Sequence, residues 1–200
     1  STAMTYHHTA GPLFTDLYEL TMAAGYHRHG LHEQRATFSV FTRNPGNKRN
    51  YFVAAGLERA LAELAGYRFR REDIGYLRSL DLFTEDFLAH LDRLRFTGDI
   101  LALPEGAIFF PEEPIMEITA PLIEAQLVET FVLNTLGLAT MIATKASRCV
   151  HAAQGRALVD FALRRTQGQD AGDQVARNTY LACFAATSNV RAGQRFGLAV

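Results

Sequence analysis

The sequence predicts an α/β protein in two parts: an N-terminal α+β domain with a small, mainly antiparallel sheet, then the beginning of a parallel α/β unit, a barrel or an open sheet. Three observations predict it. Short β-rich runs punctuated by proline and glycine ("ATFSVF", "YFVAA", "DILALPEG", "AIFFPEEP", "IMEITAP") lie among helical segments before Leu122. One long helical stretch, "LIEAQLVETFVLNTLGLATMIATKASRCVHAAQG", follows. After it, strand and helix patterns alternate up to Val200, as parallel strands joined by crossover helices do.

The opening helix is expected from about Asp16 to His29, with Asp16 as N-cap, Glu19 at capping-box spacing and Gly30 ending it. Its stretch "TDLYELTMAAGY" carries only Asp16 and Glu19, and no further charge comes before Arg28. Leu17, Leu20 and Ala24 form one stripe suited to packing on the helix's own domain, and Tyr18, Met22 and Tyr26 form a second that points elsewhere. "ATFSVF" alternates, with Phe38 and Val40 on one face and Thr37, Ser39 and Phe41 on the other. "NPGNKRN" reads as a turn and "YFVAA" as a second strand.

"GLERALAELAG" spaces Leu57, Leu61 and Leu64 helically and is closed by Gly66. "TEDFLAHLDRLRF" is a helix N-capped by Thr84, with acids in its first turn. The three proline-separated strands that follow suggest a small sheet packed on these helices. The long stretch from Leu122 is expected to be interrupted near Gly137. Beyond it come strand "ALVDF", loop "ALRRTQGQDAG", helix "DQVARNTYLACFA", strand "TSNV", short helix "RAGQRFG" and "LAV", which starts another strand. The division expected is 1–3 as an added remnant ahead of Met4, 4–138 as the N-terminal α/β domain with the long helical segment, and 139–200 as the start of the second, truncated domain. A barrel cannot close with two or three strands, so the chain reads as the N-terminal part of something larger.

Composition narrows the function. The chain is 48% hydrophobic and 20% charged with a net charge of −1, which gives no reason to expect nucleic acid or an anionic membrane as partner. Cys149 and Cys183 cannot form a disulfide framework and fit a reducing compartment. "FVLNTLGLATMIA" is too short for a membrane span and carries Asn134, and the residues before Phe14 lack the apolar segment of a secretory signal, so a cytoplasmic location is expected.

Walker loops, dinucleotide-type glycine fingerprints, paired-cysteine zinc sites and Gly-x-Ser-x-Gly elbows are absent from the sequence. His27, His29 and His32 invite a metal reading, but on a helix His27 and His29 point about 200° apart, and polar residues closing a helix C-terminus explain them more simply, so no metal ligands are assigned. "FALRRTQGQDAG" has a stronger claim because loops at the carboxyl ends of parallel strands hold ligands. Phe161 offers a stacking face and Arg164 a fork of donors for phosphate; the alternative is an ordinary solvated loop. "TSNVRAG", from Thr187, occupies the next strand end, where hydroxyls, an amide and a helix N-terminus suit a carboxylate or phosphate; the alternative is helix capping by Ser188 or Asn189. "RNPGNKRN" gathers Arg43, Lys48 and Arg49 in one turn, either solvated or reaching anionic oxygens.

Taken in order, the blocks "TDLYELTMAAGY", "FSVFTRNPGNKRNYFVAAGLERAL", "PEGAIFFPEEPI", "PLIEAQLVETFVLNTLGLATMIATKASR", "DFALRRTQGQDA" and "ATSNVRAGQRFG" resemble the nicotinate phosphoribosyltransferase family over essentially the whole chain. The resemblance implies a type II phosphoribosyltransferase: an N-terminal α/β domain, an irregular TIM-like barrel that is incomplete in this chain, and a homodimer with active sites at the subunit interface. It implies nicotinate, phosphoribosyl pyrophosphate and ATP as substrates, Mg2+ on the pyrophosphate, and a product, nicotinate mononucleotide, that enters NAD salvage. Phe161 matches the family's ring-stacking aromatic, Arg164 the arginine beside the phosphates, and Tyr18 the tyrosine given to the partner subunit's pyridine site.

Ser188 falls where nicotinamide-using relatives carry an aspartate, and with Thr187 it completes the substrate side; a serine can donate to a carboxylate without repelling it. Asp16, Arg43, Lys48, Arg49 and Arg165 are candidates for the phosphate side. Ala162 and Ala186 stand where many relatives carry glycine, which would matter if the backbone there took positive φ or had to approach a ligand closely. The family's phosphorylated histidine is expected beyond Val200, so none of His7, His8, His27, His29, His32, His90 or His151 takes that role, and the chain alone is not expected to be competent. A quinolinate or nicotinamide phosphoribosyltransferase and a non-catalytic dimerising fragment are the competing readings.

Overall fold

The computed structural model describes residues 11–46 and 49–200. Helix α1 (Leu17–Arg28) starts after Asp16, and Gly30 takes φ +68° so that the Leu31 amide closes back on the Tyr26 carbonyl at 2.9 Å. The capping box does not form. Asp16 accepts from the Thr130 hydroxyl at 3.1 Å, and Glu19 turns fully inward. The buried face is Glu19, Leu20 and Ala23, with Tyr26 partly buried against Gln126, whereas Leu17 is exposed beside Tyr18 and Met22. Leu17 and Tyr26 thus exchange the sides the two stripes gave them. Helical spacing fixes relative angles, and the elements packed on a helix decide which arc is buried.

Strand β1 (Arg35–Phe41) alternates as expected, with Phe38 and Val40 packed on the core. The strands of this region form two sheets rather than one. β1 and β3 (Asp99–Ala102) flank β5 (Pro114–Pro121) in the order β1-β5-β3, while β2 (Phe52–Val53) pairs with β4 (Ile108–Phe109), and every pairing is antiparallel. Gly56, at φ +97°, leads into α2 (Leu57–Ala65); a Cβ there would come within 3.1 Å of the Thr135 carbonyl oxygen, so glycine is required twice over. In α2 it is Ala60, Glu63 and Leu64 that are buried, and Leu61 is exposed.

α3 (Arg71–Ser79) is an element the sequence reading does not contain; only Ile74 and Leu77 are buried on it. α4 (Glu85–Arg93) is capped as expected, the Phe87 amide donating to Thr84 Oγ1 at 3.3 Å, and it buries Phe87, Leu88 and Leu91. The long helical stretch breaks at Val128 instead of Gly137, giving α5 (Leu122–Leu127) and α6 (Glu129–Ala153). A single glycine weakens a helix by only about 1 kcal/mol, and the buried Leu136 and Ala139 on either side hold α6 unbroken through it.

The last part begins with β6 (Val159–Asp160) and a 3-10 turn over Leu163–Arg165, followed by α7 (Gln169–Leu181), β7 (Ala186–Thr187) and α8 (Val190–Phe196). β6 and β7 are parallel, and the Thr187 amide reaches the Ala199 carbonyl at 3.0 Å, so the chain returns beside β7. α7 packs on α6 and is clasped to the earlier elements by Arg177, which meets Glu58 and Glu105, and by Asp170, which meets Arg59 at 2.7 Å. The architecture is a mixture of helices with small antiparallel sheets, ending in a parallel strand pair. Among the described residues no helix is long and apolar enough to cross a membrane.

Candidate functional site

Parallel pairing sends the chain out of β6 and β7 on the same side, so the two loops that follow face one another. Asp160, at the end of β6, is buried and ties them together. Its Oδ1 accepts from the Ala162 amide (3.0 Å), its Oδ2 from the Thr187 hydroxyl (2.8 Å), and its carbonyl from the Ser188 amide (2.8 Å). The Thr187 oxygen in turn accepts from the Asn189 amide at 3.1 Å. Asn189 Oδ1 accepts from the Ala192 amide and caps α8, and its Nδ2 donates to Asp173 at 3.0 Å.

Asp173, only 1% exposed on α7, also takes Arg191 Nε (3.0 Å) and Arg195 Nη1 (3.3 Å). The Arg191 guanidinium closes the circuit onto Gln169, donating to its side-chain and backbone oxygens at 2.9 Å each. Between the loops lies an open concavity of about 580 Å³ bordered by Arg164, Thr166, Gln169, Ser188, Asn189 and Arg191. Phe161 stands exposed directly after β6. Among the described residues Arg164 and Arg165 form no ion pair, whereas Arg191 shares the single Asp173 carboxylate with Arg195. The charge presented here is that of the Arg164–Arg165 pair, with a part-compensated Arg191 at the rim.

Of the residues singled out from sequence, Phe161, Arg164, Arg165, Thr187 and Ser188 are gathered at these strand ends. The Thr187 hydroxyl is buried and committed to Asp160, so its part there is to hold the loop. Asn189 is the capping residue of the second loop. Ala162 has φ −91°, and Ala186 is not among the residues with positive φ; the backbone freedom of glycine is needed at Gly168, at φ +94°.

Asp16 and Tyr18 occupy a second place, the seam of α1 with the start of α6. The Tyr18 hydroxyl donates to Glu129 Oε1 at 3.1 Å, and Gln126 Nε2 donates to Glu19 and, at 3.2 Å, to Glu129 Oε2. Burial pushes the Glu19 carboxyl above its usual range even though Gln126 and Thr130 donate to it, and Glu129 adds to the rise. The Tyr18 phenol is likewise held above its usual value, first by Glu19, then by desolvation, then by Glu129, so it remains a donor. Arg43 and Arg49 occupy a third place, a groove of about 320 Å³ walled by Phe41, Leu133 and Met141; Lys48 lies outside the described residues. His27 and His32 meet each other and His90, but among the described residues no group of three or more His, Cys, Asp or Glu is arranged to hold a metal ion.

The sequence reading did not find Asp160, Asp173 or Arg191. An acid closing the apolar run "ALV" was a legible sign for Asp160, but Asp173 and Arg191 meet across 18 positions and leave no local pattern.

Comparison with known proteins identifies the family and the fold. Residues 13–137 match the family model described as the nicotinate phosphoribosyltransferase (NAPRTase) N-terminal domain. A nicotinate phosphoribosyltransferase of Mycobacterium tuberculosis (strain ATCC 25618 / H37Rv) is 48% identical over 94% of this chain and 40% of its own length, and that of Bacillus subtilis (strain 168) is 43% identical over 94% and 38%. The crystal structure of human nicotinic acid phosphoribosyltransferase superposes with a TM-score of 0.86 at 36% identity, covering 93% of this chain and 38% of that one. The chain therefore spans about 40% of the length of the curated relatives it matches. With the family model covering more than half of its length, the chain belongs to the nicotinate phosphoribosyltransferase family.

Proposed function

We propose that this chain supplies the N-terminal domain and the first two strand-end loops of a nicotinate phosphoribosyltransferase acting in cytoplasmic NAD salvage, with β6 and β7 as the first strands of an irregular TIM-like barrel. The observation that carries the reading is the facing pair of loops after β6 and β7. One holds an exposed aromatic and the Arg164–Arg165 cations, and the other a neutral hydroxyl donor at Ser188. In the reaction the nicotinate ring nitrogen donates its lone pair to the anomeric carbon of phosphoribosyl pyrophosphate while the bond from that carbon to the pyrophosphate oxygen breaks. No proton need move, so positioning and fixed charge carry the catalysis.

Phe161 offers a face to the pyridine ring, the Ser188 hydroxyl donates to its carboxylate, and the guanidinium of Arg164, aided by Arg165, takes phosphate oxygens. Asp160 and Thr187 hold these groups in register. Asp16, Arg43, Lys48 and Arg49 are proposed as further phosphate-side contacts reached across the assembly. The active unit is a homodimer in which Tyr18 serves the partner's pyridine site. Supporting this, the Tyr18 ring is 48% exposed and its hydroxyl bonds to Glu129 rather than to either strand-end loop.

Magnesium, in this reading, travels with the pyrophosphate. The acids near the concavity do not fit a metal: Asp160 and Asp173 are buried with both oxygens already accepting from protein donors, and Asp170 is paired with Arg59, so no step is routed through a metal. ATP hydrolysis is coupled to the transfer and is assigned to none of the described histidines.

Quinolinate and nicotinamide enzymes are the competing readings; a nicotinate-nucleotide pyrophosphorylase structure from Pyrococcus furiosus, TM-score 0.76 at 20% identity, shares the fold alone. The deciding assay offers the full-length protein each pyridine in turn. Nicotinate should be strongly preferred, and S188D should lower kcat/KM for nicotinate while raising it for nicotinamide. Equal turnover of nicotinamide by the unaltered protein would reject the role given to Ser188.

A further inference from the structure

We infer that Glu129 is a positioning residue for the pyridine-binding tyrosine, holding the Tyr18 ring through its hydroxyl in the orientation that meets the substrate. The inference rests on the proposed placing of Tyr18 against nicotinate. Tyr18 lies in the first turn of α1 with its ring 48% exposed, flanked by exposed Leu17 and Met22. A ring so placed has two free side-chain torsions, and a stacking partner is useful only when they are fixed before the ligand arrives. The hydrogen bond observed at its polar end is the 3.1 Å bond to Glu129 Oε1, with the Glu19 carboxyl facing the same hydroxyl from the buried side.

Glu129 is suited to act as the anchor. It is the first residue of the 25-residue helix α6, where a carboxylate is favoured by the helix dipole. Its second oxygen accepts from Gln126, a buried residue that also donates to the buried Glu19 and accepts from Tyr26 at 3.3 Å. Glu19 faces the same hydroxyl but is fully buried, with oxygens accepting from Gln126 and Thr130. The Tyr18 bond itself lies at the exposed end of this network, where a hydrogen bond adds little to fold stability. Its worth lies in where it leaves the ring.

Steady-state kinetics on the full-length dimeric enzyme test this with Y18A, Y18F, E129A, E129Q and the double variant Y18F/E129A. Y18A should raise the nicotinate KM about 5- to 150-fold, the range of a lost aromatic stack. E129A and Y18F should each raise it about 3- to 10-fold, the range of one hydrogen bond, with the phosphoribosyl pyrophosphate KM unchanged. E129Q, whose one amide oxygen can still accept from Tyr18 but whose NH2 then faces the Gln126 NH2, should fall between the unaltered enzyme and E129A, and the double variant should be no worse than Y18F alone. A silent E129A, a double variant showing the full product of the two effects, or equal rises in both substrates' KM would each overturn the inference. If Y18A is silent, the placing of Tyr18 itself fails, an outcome distinct from an active Y18A beside a silent E129A. Should E129A not fold, Y18F decides: an unchanged nicotinate KM overturns the inference.

Discussion

Asp173 and Glu19 are equally hidden, at 1% and 0% exposure, yet they sit in opposite chemical company. Asp173 is met by two guanidinium groups and an amide, so its charge is compensated where it stands. Glu19 is met by Gln126, Thr130 and Tyr18, all neutral, with Glu129 nearby, and burial pushes its carboxyl upward. The difference shows two ways of burying an acid. At the strand ends a fixed charge pattern braces two loops and sets aside one arginine of the site while leaving Arg164 to a ligand. At the α1 seam the acid is accommodated by neutral donors and by a shift toward its protonated form.

The sharpest way to break this comparison is to remove Asp173. In D173A two guanidinium groups and the Asn189 amide lose their partner. Breaking a buried pair costs about 3–5 kcal/mol, and because Arg191 is half exposed the lower end, about 3 kcal/mol, is expected from urea denaturation of the full-length protein. Replacing the set with apolar residues, D173L with R191M and R195M, should recover much of that loss. A D173A variant as stable as the parent would show that the brace contributes nothing and that the two acids differ only on paper.

A smaller effect tests the loop that the brace supports. Gly168 holds φ +94° and ψ 159° ahead of α7, a combination open essentially to glycine alone, yet a Cβ there would meet no atom within 4 Å. G168A should therefore cost about 2 kcal/mol through backbone strain and not through a clash, or else shift the loop. The phosphoribosyl pyrophosphate KM separates the two: it rises only if Arg164 moves with the loop.

These two regions also mark what was legible in the sequence. Local chemistry was: Thr84 caps α4, Gly30 ends α1, and the alternation of Phe38 and Val40 with Thr37 and Ser39 fixes the faces of β1, because each depends on residues within a turn or a strand. The parallel pairing that brings Phe161 and Ser188 to neighbouring strand ends followed from the strand–helix–strand pattern alone. Helix α3 was not legible, since its two buried residues, Ile74 and Leu77, are too few to write a stripe. The break at Val128 went unseen because no proline or glycine marks it, while the conspicuous Gly137 is simply carried along by packing. The acid–arginine circuit through Asp173 is long-range, and nothing in a single sequence pairs residues 173 and 191.

The smallest effect is the most informative about the α1 seam, because two shifted groups there pull in opposite directions. Glu19 has a raised folded-state pKa. Its contribution is complete below the ordinary carboxylate value of 4.5 and is lost as pH rises from there through the folded value. At the other end of the same helix, His27, His32 and His90 bring their rings within 5.0–5.6 Å, with Asp86 and Glu33 beside them. The His90 imidazole is lowered by burial first, then by His27, His32 and Arg93, against a rise from Glu33. For His90 the sign reverses: stability is complete above 6.5 and is lost as pH falls toward the lowered folded value. In the unaltered protein the two losses run in opposite directions with pH. The single variants should uncover each slope. E19Q should make the loss on the rising side shallower than in the parent, and H90Q should make the loss on the acid side shallower, each leaving the other side as it was. Urea midpoints measured across this range read both slopes directly. Parallel profiles for the parent and both variants would mean that neither group titrates differently on folding, and the contrast between Glu19 and Asp173 would then lose its electrostatic basis.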